Sequence, residues 1–338
     1  MTIKLSILDQ SPIFEGRTAA DAFKNTVELA KQADRLGYHR FWVSEHHDGQ
    51  LAGSSPEVLI AYLINHTNHI RLGSGGVMLQ HYSPYKVAEN FNILATLAPG
   101  RIDLGIGRAP GGLPRSTQAL QKGITEPQSL SEKLIELEQH VRNNLPDSHP
   151  LNGLQASPVP EQPADLYLLG TSVASAELAA ELGLSYVFAQ FINSDPAIAH
   201  EALDVYRERF NFSKGTQPQT ILAISVIVSN TDEEASLLAS DMKNVRVTLE
   251  DGKSFNLGTV AQTEEFGKQS NQKYTIIERE AEVNKGSKET IRRKLLETQK
   301  EYGVEEFIVT TVIKDIELRL KSYELLYEAL SSELFVLG

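Results

Sequence analysis

Three short stretches of the sequence combine residue types that could perform chemistry. The first is Glu45-His46-His47, which follows the apolar segment Phe41-Trp42-Val43. Histidine exchanges a proton near neutral pH, so this stretch predicts a proton-transfer group. Neighbouring side chains of an extended segment point to opposite sides, and no histidine pair with metal-site spacing follows, so we expect no metal. A hydrogen-bonded loop histidine without a catalytic role accounts for the pattern equally well.

The second stretch is the glycine-rich segment 105–112, in which Arg108 follows an alternating apolar strand. It superficially resembles a dinucleotide-binding loop. That loop needs its glycines to open a helix, and Gly111, Gly112 and Pro114 argue against a helix here. The planar guanidinium of Arg108 instead suits bidentate binding of a phosphate. A surface ion pair is the ordinary alternative.

The third stretch, Gly170-Thr171-Ser172-Val173-Ala174-Ser175, joins a predicted strand to a predicted helix. Free backbone N–H groups, hydroxyls and the positive end of the helix dipole would meet there and could bind an anion. A plain serine N-cap is the commoner explanation. Because this segment and Arg108 both follow strands, a fold that gathers strand ends would bring them together and favour the anion site.

A fourth feature is the cluster Gly73, Gly75 and Gly76 inside the apolar segment 70–79. Glycine weakens the interior of a strand, so the cluster predicts a bulge or close approach by a ligand or another backbone.

Eight strand-like segments, nearly all separated by helical ones, would position these residues. They start near residues 3, 41, 71, 102, 166, 186, 221 and 307. The pattern predicts one (β/α)₈ barrel over residues 1–338, with insertions at about 112–160 and 235–285. An open, doubly wound sheet is not excluded by periodicity. Residues 109–129 are expected to form a long loop, and the polar stretch 250–285 a mobile insertion.

Composition narrows the functional class. The net charge of −12 argues against a nucleic-acid surface. The chain contains no cysteine, which excludes disulfides and thiolate sites. No apolar run reaches the roughly 18 residues of a membrane span, and no signal peptide is evident, so we expect a cytoplasmic protein.

Taken together, these segments resemble the bacterial luciferase-like flavin monooxygenase family. The matching parts are residues 42–47, 70–108, 170–184 and 303–311, and residues 70–108 match without gaps. The resemblance implies a barrel that binds FMN at the C-terminal ends of its strands. It implies that His46 is the catalytic histidine and that a cis peptide joins Gly75 and Gly76 beneath the flavin ring. The cofactor-binding residues expected from it are Glu45, Gly75, Gly76, Arg108, Thr171, Ser172, Val173 and Ser175.

The resemblance also implies an activity. Reduced FMN, supplied by a separate NAD(P)H:flavin reductase, would react with dioxygen to oxidise a small organic substrate. Residues 250–285 would form a lid, and the family's habit implies a homodimer. The pocket-facing candidates are His47, His81, Tyr82, Gln190 and Phe191.

Three positions depart from luciferase. Gly107 stands where luciferase has its reactive cysteine, and Pro114 stands where luciferase has the carboxylate that partners its active-site histidine. Thr171 stands where luciferase has a glutamate beside the phosphate site. Long-chain aldehyde is therefore not expected as the substrate. Two alternatives stay open, namely hydride transfer with a deazaflavin and a non-catalytic flavin-binding paralogue.

Overall fold

The computed structural model describes residues 3–108, 110–125 and 127–331 of the 338-residue chain. Ala109 of the glycine-rich segment and both ends of the predicted 1–338 domain thus lie outside the described residues. The barrel strands are β1 (Lys4–Asp9), β2 (Arg40–Val43), β3 (Arg71–Met78), β4 (Ile102–Gly107), β5 (Asp165–Gly170), β6 (Ser185–Ala189), β7 (Thr220–Val228) and β12 (Glu306–Thr310). The other strands are β8 (Lys243–Leu249), β9 (Ser254–Leu257), β10 (Tyr274–Glu280) and β11 (Asn284–Gly286). The α-helices are α1 (Ala19–Leu36), α2 (Pro56–Ile64), α3 (Pro84–Leu97), α4 (Pro114–Leu120), α5 (Leu130–Val141), α6 (Val173–Glu181), α7 (Pro196–Glu208), α8 (Asp232–Leu238), α9 (Val260–Gln269), α10 (Lys288–Tyr302) and α11 (Ile316–Ser331).

The eight predicted strands form a closed parallel barrel. They pair in the order β1 to β7, then β12, and β12 pairs with β1 to complete the ring. Sequence periodicity left open and closed sheets undecided, and the pairings decide for the closed (β/α)₈ barrel. All eight barrel strands run parallel, so their C-terminal ends lie at the same end of the barrel, which we call the mouth. Enzymes with this fold have their active sites there.

Alternating residues of the strands fill the inside of the barrel. The interior apolar cluster consists of Leu8, Trp42, Tyr167, Val187, Ile221, Ala223 and Ile308. Below it, at the N-terminal end, the buried guanidinium of Arg40 is 2.8 Å from Asp103 and 2.6 Å from Glu306. The ion-paired side chains of Arg40, Asp103 and Glu306 fill the N-terminal end of the barrel. The opposite faces of the strands pack against the helices in one large apolar core.

The segment after β4 is not the continuous loop that the proline and glycine content predicted. A seven-residue helix, α4, begins at Pro114. Proline is favoured in the first turn of a helix because that N–H has no intrahelical partner. Pro114 was expected to oppose a helix here, and this expectation was wrong because Pro114 is the first residue of α4.

The segment after β7 is also more regular than predicted. Strands β8, β9 and β10 form an antiparallel sheet, and α9 packs against it. Val247, Leu249 and Phe266 form a small apolar cluster of their own, against which Leu113 packs. The insertions after β4 and β7 therefore touch one another. No helix in the described ranges is long and apolar enough to cross a membrane.

His140 on α5 predicts a pH-dependent stability. Its buried ring lies edge-on to Tyr85, with ring centroids 5.2 Å apart, and burial lowers the pKa of His140. The unfolded chain therefore binds a proton more readily, and stability conferred by neutral His140 is lost as pH falls below about 6.5. We expect wild type to lose more stability than His140→Gln between pH 8 and pH 5, because only wild type has this histidine to protonate. Urea unfolding at both pH values measures this difference, and equal losses would contradict the expectation.

Candidate active site

The barrel mouth contains a cavity of about 220 Å³ between Arg108 and the start of α6. Its other lining residues are apolar or small: Leu130, Leu168, Leu169, Ala174, Ser175 and Leu178. The structure thus brings together two segments that lie more than sixty positions apart in the sequence. Parallel strands β4 and β5 are neighbours, which explains the proximity.

Arg108 is exposed, and its guanidinium makes no hydrogen bond or ion pair with the described residues. Its backbone is fixed, because its carbonyl accepts a hydrogen bond from Gln80 Nε2 at 3.1 Å. The ordinary alternative, a surface ion pair, is therefore not found within the described ranges. Arg108 lines the cavity, and its guanidinium carries five N–H donors.

The start of α6 combines a regular N-cap with free amide donors. Ser172 and Ser175 form a capping box, and the Ser175 hydroxyl lies 2.9 Å from the Tyr186 hydroxyl. Both serine side chains thus have protein partners, as the plain N-cap explanation predicted. Across the described residues, the N–H groups of Val173 and Ala174 have no acceptor, as is usual in a first turn. They remain available to an anion.

The peptide bond between Gly75 and Gly76 is cis, as the resemblance implied. The register between β3 and β4 shifts between Ser74 and Val77, around this pair. A Cβ atom on Gly76 would lie 2.7 Å from the carbonyl oxygen of Gly105. The predicted close backbone approach is therefore confirmed, and the approaching backbone is strand β4.

Glu45 is the centre of a buried hydrogen-bond cluster beside the mouth. Its Oε1 accepts from the Tyr82 hydroxyl at 2.7 Å and lies 2.8 Å from His47 Nε2. Its Oε2 accepts from the Met78 N–H at 3.0 Å. Burial, together with the hydrogen bond from Tyr82 to Glu45, raises the pKa of Tyr82, so the phenol stays protonated and donates to Glu45. These contacts favour a supporting role for Glu45, and its predicted direct contact with a cofactor is untested.

His46 lies between these two bonded residues. It follows the end of β2, and its backbone N–H donates to the Gly53 carbonyl oxygen at 2.7 Å. Burial lowers the pKa of His46, and the charges of Asp48 and Glu45 oppose that effect. A neutral imidazole near pH 7 can accept a proton, which suits the predicted role.

The remaining pocket-facing candidates have different outcomes. Phe191 packs against the interior apolar cluster, so it does face the inside of the barrel. His81 is buried, and its Nε2 lies 2.8 Å from the Pro110 carbonyl oxygen. Gln190 Nε2 donates to the Tyr302 hydroxyl, in the layer between barrel and helices. His81 and Gln190 thus both have protein partners, and their role as pocket residues stays a prediction.

Sequence reasoning missed Lys133, which organises the loop after β3. Its buried ammonium donates to the carbonyl oxygens of Leu79, Gln80 and Tyr82 at 2.8–3.2 Å. Desolvation lowers the pKa of Lys133. A lone lysine among the apolar residues of α5 was the available signal, but nothing in the sequence identified its partners some fifty positions earlier.

The donor set fits a phosphate-bearing flavin. The unpaired guanidinium of Arg108 and Ala174, whose amide is free, line a cavity whose other walls are mostly leucine, and Val173 with its free amide is next to Ala174. In the described part of the chain, no group of three or more His, Asp or Glu side chains could hold a metal ion. The arrangement is a candidate anion site at the mouth of an α/β barrel.

Comparison with known proteins identifies the family. The model of the luciferase-like monooxygenase family matches residues 3–308, and the chain belongs to this family. It is 44% identical over 329 residues to N-acetyl-S-alkylcysteine monooxygenase of Bacillus subtilis, covering 97% of this chain and 98% of that one. The flavin-dependent trigonelline monooxygenase oxygenase component of Acinetobacter baylyi is 24% identical over 245 residues, covering 68% and 66%.

Solved structures agree on the fold. The crystal structure of apo-MsnO8 superposes with a TM-score of 0.78 at 36% identity, covering 97% of this chain and 98% of that one. The oxygenating constituent of 3,6-diketocamphane monooxygenase from Pseudomonas putida, solved with FMN, gives a TM-score of 0.71. At 18% identity over the full length of both chains, it supports the fold only.

Proposed function

We propose that this protein is the oxygenase component of a two-component monooxygenase, which uses reduced FMN from a separate reductase, and dioxygen, to oxidise a small organic substrate. The observation that carries the proposal is the cavity between the unpaired Arg108 guanidinium and the free amides of α6. The family membership and the printed name of the relative described as an oxygenase component support the separate reductase.

Arg108 and the amides of Val173 and Ala174 would hold the phosphate. The backbone of Gly75 and Gly76, which we call the Gly75-Gly76 wall, would lie against the flavin ring. When bound, reduced flavin supplies the electrons for dioxygen activation. Neutral His46 would accept or return a proton at its imidazole. The apolar interior of the barrel would exclude water from the reacting atoms.

For the substrate, we propose a small thioether of the N-acetyl-S-alkylcysteine type. Support comes from the relative of that name, which is 44% identical over nearly the full length of both chains. Phe191, which packs against the interior apolar cluster near the mouth, provides an apolar contact that suits an S-alkyl group.

The proposal is tested by turnover with defined components. With a flavin reductase, NADH and FMN, the protein should consume N-acetyl-S-methylcysteine and dioxygen. The reductase and FMN without this protein form the control. Turnover with a reduced deazaflavin and without dioxygen would instead favour hydride transfer, and FMN binding without turnover of any thioether would favour the non-catalytic alternative.

We further propose a homodimer formed through α2 and α3. Helix α2, PEVLIAYLI, is apolar apart from Glu57 in its first turn, and helices of this composition are normally buried on most sides. Yet Val58 and Tyr62 are 67% and 56% exposed, and Ile93 and Leu97 on the adjacent α3 are 44% and 60% exposed. These four exposed side chains are uncharged, whereas the net charge of −12 on the whole chain would oppose contact between two copies through its charged surfaces. A second copy packing the same two helices against these would bury all four residues on each protomer.

Tyr62→Glu and Leu97→Glu should each shift the protein from dimer to monomer, because a carboxylate would be buried in an apolar interface. Leu237→Glu is the matched control, since Leu237 is 75% exposed on α8, away from this face. Sedimentation velocity measures the outcome. A dimer that persists in both α2/α3 variants would exclude this face as the interface.

A further inference from the structure

Two hydroxyl side chains, Ser225 on β7 and Thr310 on β12, lie side by side on the inner wall of the barrel. The two residues are direct partners in the strand register. Ala223 and Ile308, two positions before them, belong to the interior apolar cluster, as does Ile221. Side chains two positions apart on a strand share a face, so both hydroxyls are directed into the barrel above that cluster.

Neither hydroxyl has a protein partner. Ser225 is 8% exposed and Thr310 is 4% exposed, and within the described ranges neither side chain makes a hydrogen bond. The next residue, Thr311, differs, because its hydroxyl donates to the Val226 carbonyl at 2.7 Å. Among the described residues, neither oxygen belongs to the fully buried side-chain atoms that lack a hydrogen bond, so both can be reached from the mouth of the barrel. The inner pair is therefore available to hydrogen-bond a ligand that enters the mouth.

The pair faces the Gly75-Gly76 wall across the mouth. In the closed ring, β7 and β12 are each four strands away from β3 and β4 respectively, which is half the circumference. A flavin ring lying against Gly75 and Gly76 would therefore leave the space between itself and the hydroxyl pair for the substrate. Phe191, next to Ser225 across the β6–β7 junction, packs at the same level of the interior.

We propose that Ser225 and Thr310 are specificity-determining residues that bind the amide group of an N-acylated thioether, an inference that rests on the proposed function. A hydroxyl can donate to an amide carbonyl and accept from an amide N–H, so two adjacent hydroxyls match both atoms of an acetamide. An ammonium or carboxylate fits less well, because hydroxyls provide no opposite charge. The buried cation Arg40 lies at the other end of the barrel and is already paired with Asp103 and Glu306.

Ligand titration of the FMN-saturated protein tests this assignment without turnover. The two probes are N-acetyl-S-methylcysteine and 3-(methylthio)propanoate, which lacks the acetamide. Wild type should bind the first about 10-fold more tightly, as expected for two net hydrogen bonds. Ser225→Ala and Thr310→Val should each reduce that ratio about threefold. Thr310→Ser, which keeps a hydroxyl at this position, should show the wild-type ratio of probe affinities. Thr311→Val, a change on the outer face, should also leave that ratio unchanged.

The FMN dissociation constant, measured first for every variant, separates this proposal from the proposed function. A reduced probe ratio with unchanged FMN affinity supports the hydroxyl pair. Equal ratios in wild type, Ser225→Ala and Thr310→Val would overturn it, as would a wild type that does not discriminate between the probes. If wild type fails to bind FMN, the proposed function is wrong, and the same ratio measured on the protein without flavin still decides the role of the pair.

Discussion

Replacing Arg108 with methionine is expected to weaken FMN binding about 50-fold while leaving the fold intact. A charge-assisted, bidentate contact to phosphate contributes roughly 1.5–3 kcal/mol, which corresponds to a loss of about one to two orders of magnitude in affinity. The guanidinium has no protein partner in the described ranges, so its removal should change the free energy of unfolding by less than about 0.5 kcal/mol. Fluorescence titration with FMN measures the affinity.

Riboflavin, which lacks the phosphate, shows whether the loss arises at Arg108 itself. Wild type should prefer FMN to riboflavin strongly, and Arg108→Met should lose most of that preference. Arg115→Met is the matched control, since Arg115 is also exposed but does not line the cavity. An unchanged FMN affinity in Arg108→Met, or an equal loss in Arg115→Met, would contradict the phosphate assignment.

Replacing Gly76 with alanine is expected to destabilise the barrel by about 3 kcal/mol or more. The new Cβ would lie 2.7 Å from the Gly105 carbonyl oxygen and 2.8 Å from the Gly107 nitrogen. Both atoms are backbone of β4, and the neighbouring strand cannot yield without losing its pairing. Urea unfolding monitored by circular dichroism measures the change in the midpoint.

Gly75→Ala and Gly49→Ala provide a graded comparison. A Cβ on Gly75 would meet Leu8 Cδ1 at 2.6 Å, but this is the end of a side chain that can rotate, so we expect a loss of about 1–2 kcal/mol. A Cβ on Gly49 would meet no atom within 4 Å, and its effect should be within about 0.5 kcal/mol. If Gly76→Ala is as stable as Gly49→Ala, the close approach of β3 and β4 is incorrect.

The strands and the two halves of the candidate anion site could be predicted because they depend on local patterns. Alternating apolar residues located all eight barrel strands, and each of the segments 105–112 and 170–175 directly follows a strand. In a parallel barrel that position alone brings Arg108 and the start of α6 to one mouth. The closed ring itself depends on the β12–β1 pairing, which joins segments about 300 positions apart and has no local signal.

Other features were missed for identifiable reasons. The sheet after β7 did have a signal, since Val245, Val247 and Leu249 alternate with polar residues in β8, but the surrounding polar sequence obscured it. The contacts of Glu45 with Tyr82 and Met78 span more than thirty positions. Such contacts arise where loops from different strands converge, and residue types in a single segment do not indicate them.

The position of the unpaired hydroxyls of Ser225 and Thr310 could not be inferred from the sequence either. In the sequence they are ordinary members of β-branched strands. Only the pairing of β7 with β12, together with the absence of a partner among the described residues, distinguishes them from satisfied hydroxyls such as that of Thr311.

The central claim, that this barrel inserts oxygen from dioxygen into an organic substrate with reduced FMN, is tested most directly by isotope labelling. The protein, a flavin reductase, NADH, FMN and N-acetyl-S-methylcysteine are incubated under ¹⁸O₂, and the product is analysed by mass spectrometry. We expect one ¹⁸O atom per product molecule, and none when this protein is omitted. A product formed without ¹⁸O, or formed equally well in the absence of dioxygen, would contradict the claim.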